Sequence, residues 1–393
     1  MPRDAKTILK SIEMPRKESQ PLWKGPENNS QLGGISQSML HKFLQCRERF
    51  RIRYILGLKP VEQFSRVMEY GNMWHIAEEH HAKNSDWKKP LKEYCDELRK
   101  KYQYQQEEIN KWYQVCLHQF PIYVDYWARH KDMVNRTPLM QEEVFHVPYT
   151  LPSGRVVYLK GKFDQVDLIK AKKEQGIWLG EHKTKGEIDP EALRAQLKMD
   201  VQTMLYIVAL QETWNNEIWG VQGRDNDWWE KHQHLDPKIV SIPIVGVRYN
   251  VIRRPLSGGK GTIKPKSING VMETDHLFYQ RLQQYFIEEP GYWFMRWNVE
   301  ISAKDIENFK VQFLNPVLEQ LCIWYDWMQF SKFSDPFGDK MFNSDGTVDA
   351  AYGIGIHWKS PAADHVTKDY DAYLETGSTV GLHQVSTLFE ELK

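Results

Sequence analysis

Apolar residues recur at helical spacing through the first third of the chain and at strand spacing through the second. In ISQSMLHKFLQCRERFRIRYILGL, Met39, Leu40, Phe43, Leu44 and Phe50 fall near a helical period, with Ser36 ahead of them as an N-cap and Arg47, Arg49 and Arg51 on the other face. VMEYGNMWHIAEEHHAK predicts a second helix, and the charged, aromatic stretch from Trp87 to Lys131 predicts two more. The texture then changes. QEEVFHVPYTL, GRVVYLKGKFDQVDLIK and GIWLGEHKT are short β-rich runs parted by Pro-Ser-Gly and by a lysine-rich turn, which reads as a meander of strands. ALRAQLKMDVQTMLYIVALQETW returns to the helical period, and VSIPIVGVRYNVIRRP is again a strand pattern, wet at its arginine-rich end. ETDHLFYQRLQQYF and AKDIENFKVQFLNPVLEQLCIWYDWMQF read as helices. Helices, an antiparallel meander, a helix and another strand make a mixed α/β core.

The same pattern divides the chain. Residues 1–34 are polar and read as a flexible arm, 35–138 as a helical part, 139–300 as the core, and 301–393 as a helix with an irregular tail. Within the core, 214–238 is an insertion rich in Trp, Asn and Asp, and LSGGKGTIKPKSING is a flexible basic loop. There is no internal repeat.

Composition narrows the class. With 393 residues, 41% of them hydrophobic, the chain can bury a large core. Lys plus Arg equals Asp plus Glu at 52 each, so no global field draws it to a polyanion and any such site is a local patch. Cys46, Cys95, Cys116 and Cys322 are far apart and form no C-x-x-C, which excludes a zinc knuckle or a disulfide framework and fits a reducing cytoplasm. No apolar h-region opens the sequence and no run of about 18 apolar residues occurs, so secretion and membrane spanning are not expected.

The chemistry gathers in GKFDQVDLIKAKKEQGIWLGEHKTKG. On a strand, Asp164 shares a face with Val166 and Leu168, while Asp167 faces away; Glu181 and Lys183 share a face, and His182 points from it. A hairpin through KAKKEQ brings Asp164 near Glu181, with Lys183 alongside. Two converging carboxylates repel unless a divalent cation neutralises them, and hard oxygen ligands suit Mg²⁺ or Mn²⁺. A lysine beside that ion can orient an attacking water or stabilise charge on a phosphoryl group. Gln202 and Tyr206 are four apart, hence on one face of the next helix, and His75 on an earlier helix offers an imidazole as a further ligand.

In this order the residues resemble the PD-(D/E)xK nuclease superfamily, in particular its RecB-like exonuclease branch. The resemblance rests on Ser36 to Cys46, Gly71 with His75, Glu142 or Glu143, Gly161 with Asp164, Glu181 with Lys183, and Gln202 with Tyr206. It implies a restriction-endonuclease-like α/β core in which His75, Asp164, Glu181 and the backbone carbonyl of His182 hold the metal. Lys183 would act on the nucleophile, and Gln202 and Tyr206 would position the lysine or the DNA backbone. Phe163 stands where the family name has proline. Many relatives carry an iron–sulfur cluster on four cysteines; only Cys46 has a counterpart, so no cluster is expected.

Other motifs fail on geometry. In SGGKGT, Lys260 is followed by Gly261 rather than Ser or Thr, and in IAEEHH the residue four after His75 is Glu79, which leaves His80 and His81 as exposed helix residues. Trp228 and Trp229 pack or meet a partner before they stack on bases. Arg248, Arg253, Arg254, Lys260, Lys264 and Lys266 make the best local basic strip for DNA. The sequence thus points to a metal-dependent deoxyribonuclease, an exonuclease at DNA ends or on single strands in replication, recombination or repair, with phage-like or mobile-element character and a possible recombination or replication protein as partner. Its rivals are a silent DNA-binding or assembly module of the same fold and a site-specific endonuclease.

Overall fold

The structure is a computed structural model that describes residues 34–55, 57–61, 63–130, 135–171, 175–198, 200–213, 242–257, 262–330, 370, 378–379 and 381–384. In chain order its main elements are α1 (Gln37–Gln45), β1 (Leu58–Pro60), α2 (Arg66–Ala82), α3 (Lys88–Lys101), α4 (Gln106–Ala128), β2 (Arg136–Thr150), β3 (Val156–Ile169) and β4 (Gly176–Lys185). There follow α5 (Pro190–Leu197), α6 (Val201–Thr213), β5 (Ile244–Arg253), α7 (Asp275–Glu288), β6 (Phe294–Glu300), α8 (Asn315–Phe330) and β7 (Leu382–Gln384). The expected arm and the 214–238 insertion, with Trp228 and Trp229, lie outside the described residues apart from Gly34, as does most of the tail.

Strands β2, β3, β4, β5 and β6 form one sheet in that order. β3 and β4 are antiparallel with Gln165 opposite Gly180, β5 runs parallel to β4 with Glu181 beside Tyr249, and β6 closes antiparallel on β5. The chain is therefore a mixed sheet flanked by helices, the restriction-endonuclease-like α/β core. Strand β6 was not foreseen: FMRWNVE follows the Pro290–Trp293 turn of helix and gains its strand character from pairing with β5.

The chain divides into two compact units, one of residues 1–61, 146–161 and 308–393, the other of 62–145 and 162–307, whereas the segments expected from sequence are contiguous. In the first unit Ser36 caps α1 by accepting from the Met39 amide at 3.3 Å, an interaction of about 1 kcal/mol. Phe43, Phe50 and Trp324 then pack edge to face, while Leu44, expected inside, is exposed.

The second unit carries the candidate chemistry. One continuous apolar cluster joins Tyr70, Met73, Trp74 and Ala77 of α2 to Leu91 and Cys95 of α3, Trp112 and Phe120 of α4, and Phe278 and Leu282 of α7. The sequence predicted one helix over 192–214, and two form instead. Asp200 restarts the helix by accepting from the Thr203 amide at 3.1 Å, and α6 then buries apolar side chains on nearly every side. Only Gln202, Tyr206 and a few neighbours of α6 stay partly open. Thr203 and the Leu197 carbonyl both meet the Tyr249 hydroxyl, which fastens α6 and α5 to β5.

Candidate active site

Three elements deliver the acids. The register of β3 on β4 continues from Gln165 opposite Gly180 to set Asp164 beside Glu181, and Asp164 Oδ2 accepts from the His182 amide at 3.0 Å. On α2, Gly71, His75 and Glu79 recur every fourth residue and so share a face. His75 Nδ1 lies 3.4 Å from Glu142 Oε1 and 3.8 Å from Asp164 Oδ1. One ligand atom from each of His75, Glu142 and Asp164 falls within 4.8 Å of the others.

Glu142 reaches this position through its backbone. Its φ of 50° is left-handed, which costs an ordinary residue about 1–2 kcal/mol. Such a break in strand alternation re-aims a side chain, and Glu142 is 3% exposed at its side chain while Glu143 faces solvent. Sequence alone left the two acids equal.

Glu181 is fully buried and turns one oxygen, Oε2, to Lys183 Nζ at 2.9 Å. Lys183 Nζ also donates to Gln202 Oε1 at 3.1 Å, and the Gln202 amide donates to Glu181 Oε2 at 3.5 Å. The sequence-predicted pair of strand acids, the lysine and the glutamine are thus together. Tyr206 stands against Phe145 and Phe163, half-buried one turn along α6 from Gln202. His182, buried and aimed away, places Nδ1 3.4 Å from Glu78 Oε1 of α2. Glu78 and Lys162 were not singled out in the sequence, and Glu79 entered only as the residue that breaks a histidine spacing; the signal available was their position, three and four residues after His75 and two before Asp164.

The acids set the proton state of the cluster. Burial alone would lower the His75 imidazole, but Asp164, Glu142 and Glu181 reverse this and lift it from 6.5 to about 9. Burial raises the Glu181 carboxyl, Lys183 pulls it down and Asp164 adds to the rise. For Lys183, burial acts downward and the ion pair with Glu181 prevails, so its ammonium is held above the ordinary value. Burial, then Glu181 and Asp164, raises the Tyr206 phenol.

This donor set fits a divalent cation. Two carboxylates and one imidazole converge, Glu181 stands next to Asp164 across the strand pair, and its second oxygen, Oε1, is buried without a hydrogen-bond partner among the described residues. The ion pair with Lys183 engages Oε2 alone, so a cation on the Asp164 side would satisfy the buried Oε1.

The expected basic strip does not assemble as one surface. Arg248 is 2% exposed, donates to Asn298 at 3.0 Å and, with Asp167, Asn250 and Arg296, lines a cavity of about 370 Å³. Asp167, which the strand period turns away from Asp164, is buried there against Arg136 at 2.8 Å. Arg253 is buried over Tyr292 at 4.0 Å and donates to its carbonyl, and Arg254 is buried, donating to the Thr184 carbonyl at 3.0 Å. The end of β5 is therefore dry: β6 and its preceding turn hold Arg248 and Arg253, and β4 holds Arg254. Lys264 and Lys266 are exposed, and Lys260 lies outside the described residues.

The model of the PD-(D/E)XK nuclease superfamily matches residues 34–289, which take in every residue of this cluster. The chain belongs to that superfamily. Membership makes it a nuclease of the hydrolase class with DNA as the implied substrate and divalent metals as the usual cofactor of its kind. No curated protein matches the chain. Among the described residues no helix is long and apolar enough to cross a membrane.

Proposed function

We propose that this superfamily member is a Mg²⁺- or Mn²⁺-dependent deoxyribonuclease of the RecB-like branch, an exonuclease working at DNA ends or on single strands in the cytoplasm during replication, recombination or repair. The observation that carries the reading is the convergence of His75, Glu142 and Asp164 within 4.8 Å beside the buried Glu181–Lys183 pair. A divalent ion held by these residues supplies Lewis acidity toward a phosphoryl oxygen and toward the attacking water. Asp164 and Glu181 bind and orient it, with His75 and Glu142 as further ligands and the His182 carbonyl as the expected backbone donor.

The pairing with Glu181 favours the charged ammonium of Lys183, whose part in this reading is to hold positive charge beside the reacting phosphoryl group and to orient water. Gln202 fixes the ammonium from the far side, and Tyr206 keeps its hydroxyl proton as a donor toward the DNA backbone. Water attacks phosphorus in line and the 3′ oxygen leaves, giving a 5′-phosphate and a 3′-hydroxyl. The exposed Lys264 and Lys266 are the members of the basic set open to DNA. The reading includes no iron–sulfur cluster, since Cys46 alone occupies a family position.

Metal-dependent digestion of end-labelled linear DNA tests it. Digestion is lost in Asp164→Ala and in Lys183→Ala with circular dichroism unchanged, and closed circles survive while linear DNA is consumed. Untouched linear, single-stranded and circular DNA in Mn²⁺ would establish the silent assembly module, and cutting of closed circles an endonuclease.

A further inference from the structure

Lys162 lies two residues before Asp164 on β3 and so shares its face of the strand. Its ammonium is 2.6 Å from Glu142 Oε2 and 3.5 Å from Glu79 Oε2. The other oxygen of Glu142, Oε1, is the one 3.4 Å from His75 Nδ1. Glu142 therefore spans two cationic positions, one on each oxygen. In two-ion nuclease sites a carboxylate does the same between metals about 3.5–4 Å apart.

We infer that Lys162 is a fixed second cation of this site, occupying the side of Glu142 that a second metal ion would otherwise take, so that the protein binds one divalent ion and not two. The inference rests on the nuclease reading above. Glu79 belongs to the same arrangement: it follows His75 by one helical turn, and with Glu142 it supplies the two carboxylates that a second ion would need. Tethered on the same strand as Asp164, the ammonium competes for those oxygens at a local concentration that free metal does not reach. It also has no vacant coordination position, so this side of the site neutralises charge without activating a water. The burial of Glu142 and its left-handed backbone hold the carboxylate in this bridging pose whether or not an ion is bound.

Counting Mn²⁺ on the full chain tests this, by calorimetric stoichiometry and by electron paramagnetic resonance, where two ions sharing a carboxylate give an exchange-coupled spectrum. The wild type takes one Mn²⁺ with an uncoupled spectrum. Lys162→Met takes two with a coupled spectrum, Lys162→Arg takes one, and Lys162→Met with Glu79→Gln returns to one. Lys162→Gln, which keeps a polar head in place, reads the same way as Lys162→Met if the methionine variant does not fold. Two ions on the wild type, or one on a folded Lys162→Met and Lys162→Gln, overturns the inference and leaves the metal-nuclease reading standing. No ion on the wild type overturns both.

Discussion

Metal binding at the proposed site should release a proton, and the size of that effect follows from His75. A divalent ion takes only neutral imidazole, whereas the ring is held to about 9 by Asp164, Glu142 and Glu181. At pH 7 roughly one His75 in a hundred is neutral, which weakens apparent affinity about 100-fold, or ~2.7 kcal/mol, against the deprotonated site. Between pH 7 and 8.5 the apparent Kd for Mn²⁺ should tighten about 25-fold, following the fraction of neutral ring. Calorimetry at pH 7.5 in buffers of different ionisation enthalpy reads the protons released, and about one per ion is expected. The raised Glu181 carboxyl adds to the release as pH falls further. In His75→Ala the slope between pH 7 and 8.5 shrinks to the small part that Glu181, raised to about 7, supplies near pH 7. An affinity flat across that range in the wild type, with no proton released, would refute the electrostatic account of the cluster. The metal-free fold carries the same linkage with the opposite benefit. Because the folded value lies above the ordinary 6.5, the stabilisation is complete below pH 6.5 and is lost as pH rises through about 9. Thermal midpoints of the metal-free wild type should fall over that window, and those of His75→Ala should not.

Three further outcomes check the geometry. Gln202→Ala removes a hydrogen bond to the Lys183 ammonium, worth about 1.5–3 kcal/mol, so kcat on linear DNA should drop about 10- to 100-fold with little change in KM; an unchanged kcat contradicts the placement of α6. Glu142→Gln should weaken Mn²⁺ binding, measured by calorimetry, at least about tenfold, while Glu143→Gln, whose side chain faces solvent, should leave it unaltered. Tyr249→Phe removes the hydroxyl shared by Thr203 and the Leu197 carbonyl and should cost about 1–2 kcal/mol in urea unfolding. The Mn²⁺ stoichiometry of that variant stays that of the wild type.

What the sequence determined by itself is what repeats locally. Period four put Gly71 and His75 on one helix face and Gln202 with Tyr206 on another, and period two put Asp164 apart from Asp167 and Glu181 with Lys183. Those periods follow from backbone geometry alone, so helices α1 to α4 and the β2–β3–β4 strands were legible before any contact was known, while the family resemblance added Glu142 or Glu143 to the cluster. Tertiary structure decided the rest. Which of Glu142 and Glu143 turns inward depends on one left-handed residue that breaks the alternation. Whether Arg248 and Arg253 meet water depends on β6, a strand that exists because β5 offers it an edge, and on the turn before it, while Arg254 turns in to Thr184 of β4. Lys162 and Glu79 acquire meaning only when packing brings Glu142 of β2 and Glu79 of α2 to the one ammonium on β3. A side chain's face is fixed by its neighbours in sequence; the charge opposite it is fixed by the element that packs there.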